Sequence, residues 1–125
     1  GQTASLLRRE LMRLGMEPSE NDMTFHCAVG RGLRMESIGD VERAENWINK
    51  LLAANEQGRV YDREGLAEAA GMIWFRLCLN SATLGRPVRR AYASSSLSKG
   101  YSPSRAELLG FDLRVLWHGV RRLAT

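Results

Sequence analysis

A chain of 125 residues is the length of one domain and can bury a core without disulfide or metal staples. Its hydrophobic fraction of 44% and charged fraction of 26% are those of an ordinary globular chain. No run approaches the ~18 consecutive apolar residues of a spanning helix, so any membrane contact is expected to be peripheral. The net charge of +4 hides an asymmetry. Residues 1–34 carry five basic groups against four acids, residues 35–70 four against eight, and residues 71–125 nine against two. A basic last third beside an acidic middle points to a negatively charged partner on one face, the alternative being an ordinary solvated surface.

The start, Gly1-Gln2-Thr3-Ala4-Ser5, fits the acylation pattern M-G-x-x-x-[ST] if an initiator Met has been removed. Glycine is needed there because the acyl chain goes onto its freed α-amine. A residue left by tag cleavage is the alternative account of Gly1. Leu6–Leu14 reads as a short helix with Leu7, Leu11 and Leu14 inward, Arg8, Arg9 and Arg13 outward, and Gly15 as C-cap. Ser19 and Asp22 make a capping box for a second helix that buries Met23, Phe25, His26 and Val29. Gly30-Arg31-Gly32 ends it as a turn, since the strand and fingerprint of a nucleotide site are missing.

Asp40 is the expected cap of a third helix, Val41–Asn55, whose stripe is Val41, Ala44, Ile48, Leu51 and Leu52, broadened by Trp47. Asp62 caps the fourth. Within it Leu66, Ala69, Ala70, Ile73, Trp74, Leu77 and Cys78 draw one apolar stripe at the helical period. Met72, Phe75 and Leu79 add apolar groups outside that stripe, so the helix must be covered on most of its circumference and is read as the central core helix.

Residues 85–103, GRPVRRAYASSSLSKGYSP, shift in composition toward Ser, Gly and Arg and are expected to form a long basic loop. The alternative is a short helix at Val88–Tyr92 with the serines as a tether. Arg86, Arg89, Arg90 and Lys99, with Tyr92 and Tyr101 interleaved, suit phosphates and stacked bases or lipid headgroups. Ser104 and Glu107 form a capping box for the last helix, Arg105–Leu123. Leu109, Leu113, Leu116, Val120 and Leu123 repeat there at a 4–3–4–3 heptad spacing, broadened by Leu108, Phe111 and Val115. The expectation is that this seam packs on the domain's own core, an oligomer seam being the alternative. Arg121 and Arg122 suit the negative end of the helix dipole. The fold class is therefore all-α: a single domain over 1–125, a bundle of about five helices around the buried helix 62–80.

Catalytic signatures are missing: there is no P-loop, HExxH, CxxC or GxSxG and no internal repeat. A metal site would need Cys27, Cys78, His26 and His118 to converge from separate helices. His26 and Cys27, being adjacent, point roughly 100° apart on a helix. Glu42, Glu45, Glu64 and Glu68 read as solvated helix neighbours rather than an acid/base pair. The cysteines read as buried thiols in a reducing compartment, with one disulfide as the alternative. Neither an enzyme, a metal, a cofactor nor a small-molecule substrate is expected.

The Gly1-Gln2-Thr3 acylation start with Ser5, the length, the helix count and the central Met72-Ile73-Trp74-Phe75-Arg76-Leu77-Cys78 together resemble a retroviral Gag matrix domain of the lentivirus-like, N-myristoylated type. One departure is that such domains concentrate basic residues near the N-terminus, whereas the strongest basic segment here is Arg86–Arg90. The resemblance implies a viral structural module that carries a polyprotein to the cytosolic face of the plasma membrane, and into the virion. In that reading myristate on Gly1 inserts, while Arg8, Arg9, Arg13, Arg86, Arg89, Arg90, Lys99 and Arg105 meet anionic lipids, with trimerisation adding avidity. The alternative is a small helical nucleic-acid-binding or replication-accessory domain of bacterial, phage or plasmid origin, which would use Arg86, Arg89, Arg90, Lys99, Tyr101 and Arg105 on RNA or DNA phosphates. A protein-interaction adaptor built on the C-terminal heptads is a third reading.

Overall fold

A computed structural model describes the backbone of residues 2–124 and the side chains of residues 8–120. It contains α1 (Gln2–Arg13), α2 (Glu20–Gly30), α3 (Ile38–Gly58), α4 (Arg63–Asn80), α5 (Arg86–Ser94) and α6 (Arg105–Ala124). Two 3-10 turns, Ala82–Leu84 and Ser96–Gly100, flank α5, and no strand occurs among the described residues. The all-α class holds, with six helices where about five were expected. Gly1 and the side chains of Leu7, Arg121, Arg122 and Leu123 lie outside the described residues.

The apolar circumference of α4 explains the architecture. Trp74, Leu77 and Cys78 are fully buried and Phe75 nearly so. Around them stand Leu11 of α1, Met23 and Val29 of α2, Val41, Ala44 and Ile48 of α3, Val88 and Tyr92 of α5, and Phe111 and Val115 of α6. The rings of Phe75, Tyr92 and Phe111 meet edge to face at centroid distances of 5.6 to 6.1 Å, with Tyr101 tilted 6.2 Å from Phe75. The second 3-10 turn crosses α4 so closely that a Cβ on Gly71 would stand 2.8 Å from the Tyr101 amide nitrogen. A Cβ on Gly100 would overlap the Ala67 carbonyl oxygen. Here glycine is required by contact rather than by backbone angle. Trp74 Nε1–H donates to Ser98 Oγ at 3.2 Å, tying the same turn to the core.

The expected caps at Ser19, Asp62 and Ser104 are present. Ser19 Oγ accepts from the Asp22 N–H while Asp22 accepts from the Ser19 N–H, and Asp62 Oδ2 accepts from the Gly65 N–H at 2.8 Å. Ser104 and Glu107 exchange the same reciprocal pair. At α3 the expectation changes. The cap is Ser37, whose Oγ accepts from the Asp40 N–H at 3.1 Å, so Asp40 belongs to the first turn and the helix begins earlier. The α3 C-terminus closes on Arg59 in the left-handed region, and Asn55 exchanges two 2.9 Å bonds with the Tyr61 backbone to set the turn into α4. Buried Ser81 donates to Leu77 O and accepts from the Met35 N–H, anchoring the α2–α3 connection on the end of α4.

Two larger corrections concern the last third. Residues 85–103 are not a long loop: the RPVRRAYAS run is helical from Arg86, and the serines form a 3-10 turn packed on α4. In α6 only the residues expected to broaden the core face pack inward. Leu108, Phe111 and Val115 face the core, whereas Leu109, Leu113, Leu116 and Val120 of the heptad seam are 50 to 60% exposed.

Candidate functional site

The site grows from the way α5 starts. Gly85, at φ +80 and ψ −150, holds a backbone conformation closed to side-chain-bearing residues, and Pro87 fixes the first turn. From there the helical period sends Val88 and Tyr92 inward and Arg86 and Arg90, one turn apart, outward. Arg86 and Arg90 are exposed and form no ion pair among the described residues. Arg89 turns sideways. Its Nε donates to Asp112 Oδ1 at 2.6 Å, and its guanidinium carbon lies 5.3 Å from the Phe111 ring centre and 5.6 Å from that of Tyr92.

Between α5 and α6 runs a groove of about 730 Å³, with Arg86, Arg89 and Arg90 on one wall and Val115, Leu116 and Val120 on the other. Beyond it Leu109, Leu113 and Trp117 extend the apolar surface, Trp117 being 61% exposed. The result is a cationic edge beside an open apolar face.

The other expected cations do not join this edge. Arg8 is drawn to α2, donating to Pro18 O at 2.7 Å and to Glu20 at 2.8 Å. Arg13 pairs with Glu10, which also accepts from the Tyr61 hydroxyl. Those bonds hold the Glu10 carboxyl below the usual range, the Tyr61 hydrogen bond contributing most. Arg9, Lys99 and Arg105 are exposed, and none of the three lines the groove. Tyr92 and Tyr101, expected to stack on bases, are turned into the Phe75–Phe111 cluster instead, and burial raises the Tyr92 hydroxyl above its ordinary value.

Sequence reasoning missed Asp112 as the partner of Arg89, for which no local signal exists. It ranked the outward seam second, as the alternative to core packing, although a signal for it was present. An α6 with one stripe at 108, 111 and 115 and another at 109, 113, 116 and 120 has more apolar surface than a single core contact can cover.

Cys27 and Cys78 are free thiols, and burial pushes the Cys78 thiol far up, leaving it unreactive. Among the described residues no group of three or more His, Cys, Asp or Glu could hold a metal ion, and no helix is long and apolar enough to cross a membrane. The fold and site together define an all-α module with a cationic, partly apolar outer face. Comparison with protein-family models, with curated proteins and with solved structures finds no match for the chain.

Proposed function

We propose that the chain is a non-enzymatic, matrix-type module that holds a polyprotein against an anionic membrane surface. One observation carries the reading: α5 presents Arg86 and Arg90 outward beside apolar surface, while of the two tyrosines a single-stranded nucleic-acid groove would use for stacking, Tyr92 is buried and Tyr101 is half-buried against the same aromatic cluster. A membrane needs the cations and has no use for the rings. Each arginine near an anionic surface is worth about 1 kcal/mol, so the pair strengthens partitioning roughly 30-fold. A myristoyl chain on Gly1 would supply the second signal, since one chain alone gives only about 10⁴ M⁻¹. In this reading the module acts at the cytosolic face of the membrane, and Lys99 and Arg105 add weaker, separate contacts.

The test is binding of the unacylated chain to vesicles containing phosphatidylserine, with RNA as competitor. Arg86→Ala/Arg90→Ala should weaken binding roughly 30-fold, Arg89→Ala should leave it near wild type, and RNA should not displace the protein. Tight RNA binding that needs the same two arginines would replace this reading with the nucleic-acid one.

A further inference from the structure

We infer that the outward face of α6 is a self-association seam on which a second copy of the chain docks its own α6 in antiparallel orientation. The inference stands whether or not the α5 arginines meet lipid. Leu109, Leu113, Leu116 and Val120 occupy successive d, a, d and a positions and are each at least half exposed. A contiguous apolar stripe of this kind, rimmed by polar groups, marks a surface made to be covered.

The register is what selects a second copy. In an antiparallel pair a positions meet d positions. Pairing Leu113 with Leu116 of the second copy brings Leu109 against Val120 of the second copy, and the two-fold axis repeats both contacts. All four layers then come from the exposed residues themselves. The flanks close as well. Gly110 falls between the same two layers as Trp117 of the second copy, and Gly119 between the same two layers as Asp112 of the second copy.

Neither glycine is required by the chain's own fold: a Cβ on Gly110 or Gly119 would meet nothing within 4 Å, and neither has a positive φ. A helix-interior glycine costs about 1 kcal/mol against alanine, so two of them beside the seam indicate close approach by something outside the subunit. Trp117, which finds no cover in its own subunit, fills the space above Gly110 of the second copy. On the other flank the α5–α6 groove leaves room for the incoming helix.

Charge gives the orientation. Arg105, Glu107, Asp112 and Arg114 balance one another in the first half of α6, whereas Arg121 and Arg122 lie in the last turn. A parallel pair would gather four arginines at one end, whereas an antiparallel pair separates them and sets each pair beside the neutral half of the second copy. Four layers bury less than the ~800 Å² per partner of a tight interface, so the pair should dissociate at a concentration on the order of micromolar.

Sedimentation equilibrium of the full chain, from about 1 to about 200 µM, should follow a monomer–dimer equilibrium up to twice the 14.0 kDa chain mass. Leu113→Glu and Leu116→Glu change residues already in water in the monomer. Each should weaken the dimer at least tenfold while circular dichroism stays unchanged. Gly110→Leu should do the same by displacing Trp117. For orientation, with Cys27→Ser as background, Leu113→Cys mixed with Leu116→Cys should cross-link between copies faster than either variant alone. A wild-type monomer at every concentration, a trimer, a dimer indifferent to Leu113→Glu and Leu116→Glu, or preferential cross-linking of each single cysteine with itself would overturn the inference.

Discussion

About 100° of helix rotation separates Arg89 from Arg90, and that turn divides the cations of α5 by role. Arg89 is spent on Asp112 and the rings of Tyr92 and Phe111, whereas Arg86 and Arg90 are exposed and form no ion pair among the described residues. Arg89→Ala should therefore cost stability, about 1 kcal/mol after discounting a partly exposed pair, or about 4 °C in Tm. Vesicle binding measured on the same sample should not change.

The glycines divide in the same way. Gly71→Ala and Gly100→Ala each push a Cβ into the α4 crossing and should cost about 1–3 kcal/mol in chemical denaturation. Gly110→Ala, into open space, should stabilise the monomer by up to about 1 kcal/mol.

His26 adds a pH dependence. Its Nδ1 accepts from Trp47 Nε1–H at 2.9 Å, and desolvation holds its pKa below the ordinary value of 6.5. A histidine with a depressed folded pKa leaves stability intact above about pH 6.5 and removes it as pH falls through the lower, folded value. Thermal melts should therefore show Tm falling below about pH 6.5, and His26→Gln, which keeps an acceptor without a titrating proton, should flatten the slope.

Among the elements, α4 was readable from its residues because an almost wholly apolar helix admits one position in a bundle. The capping boxes at Ser19 and Ser104 were readable because their geometry is local. The start of α3 was not, since Ser37 and Asp40 are both good capping residues and the choice rests on which lets Ile38 pack. At α5 the alternative reading holds, and the helix is longer than Val88–Tyr92: Ser, Gly and Arg suggest a loop, and Val88 and Tyr92 reaching the Phe75–Phe111 cluster pull the run from Arg86 to Ser94 into a helix. Tertiary packing overrode local preference there. For α6, both stripes were visible in the residues, but which one faces the core depends on where α5 and α4 place Phe111, which is long-range information. Trp74→Ala tests α4 as the organising element. Trp74 is fully buried, so the change should cost about 3–5 kcal/mol in chemical denaturation.

On the scale of the whole molecule, the charge asymmetry read from the sequence resolves into a smaller set of usable cations. Arg8 and Arg13 are engaged near α2 and α1, and Arg89 within the α5–α6 contact, so the basic edge of the α5–α6 groove is Arg86 and Arg90. In the proposed reading, two arginines and one acyl chain would each be a marginal anchor, and their product a stable one. The most direct test is co-flotation of the chain, myristoylated and unmodified, with phosphatidylserine vesicles, with and without Arg86→Ala/Arg90→Ala. The account predicts that flotation is strong only when both the acyl chain and the two arginines are present, and falls sharply when either is removed. Flotation that ignores the arginines, or acylation that adds nothing to it, would contradict the account.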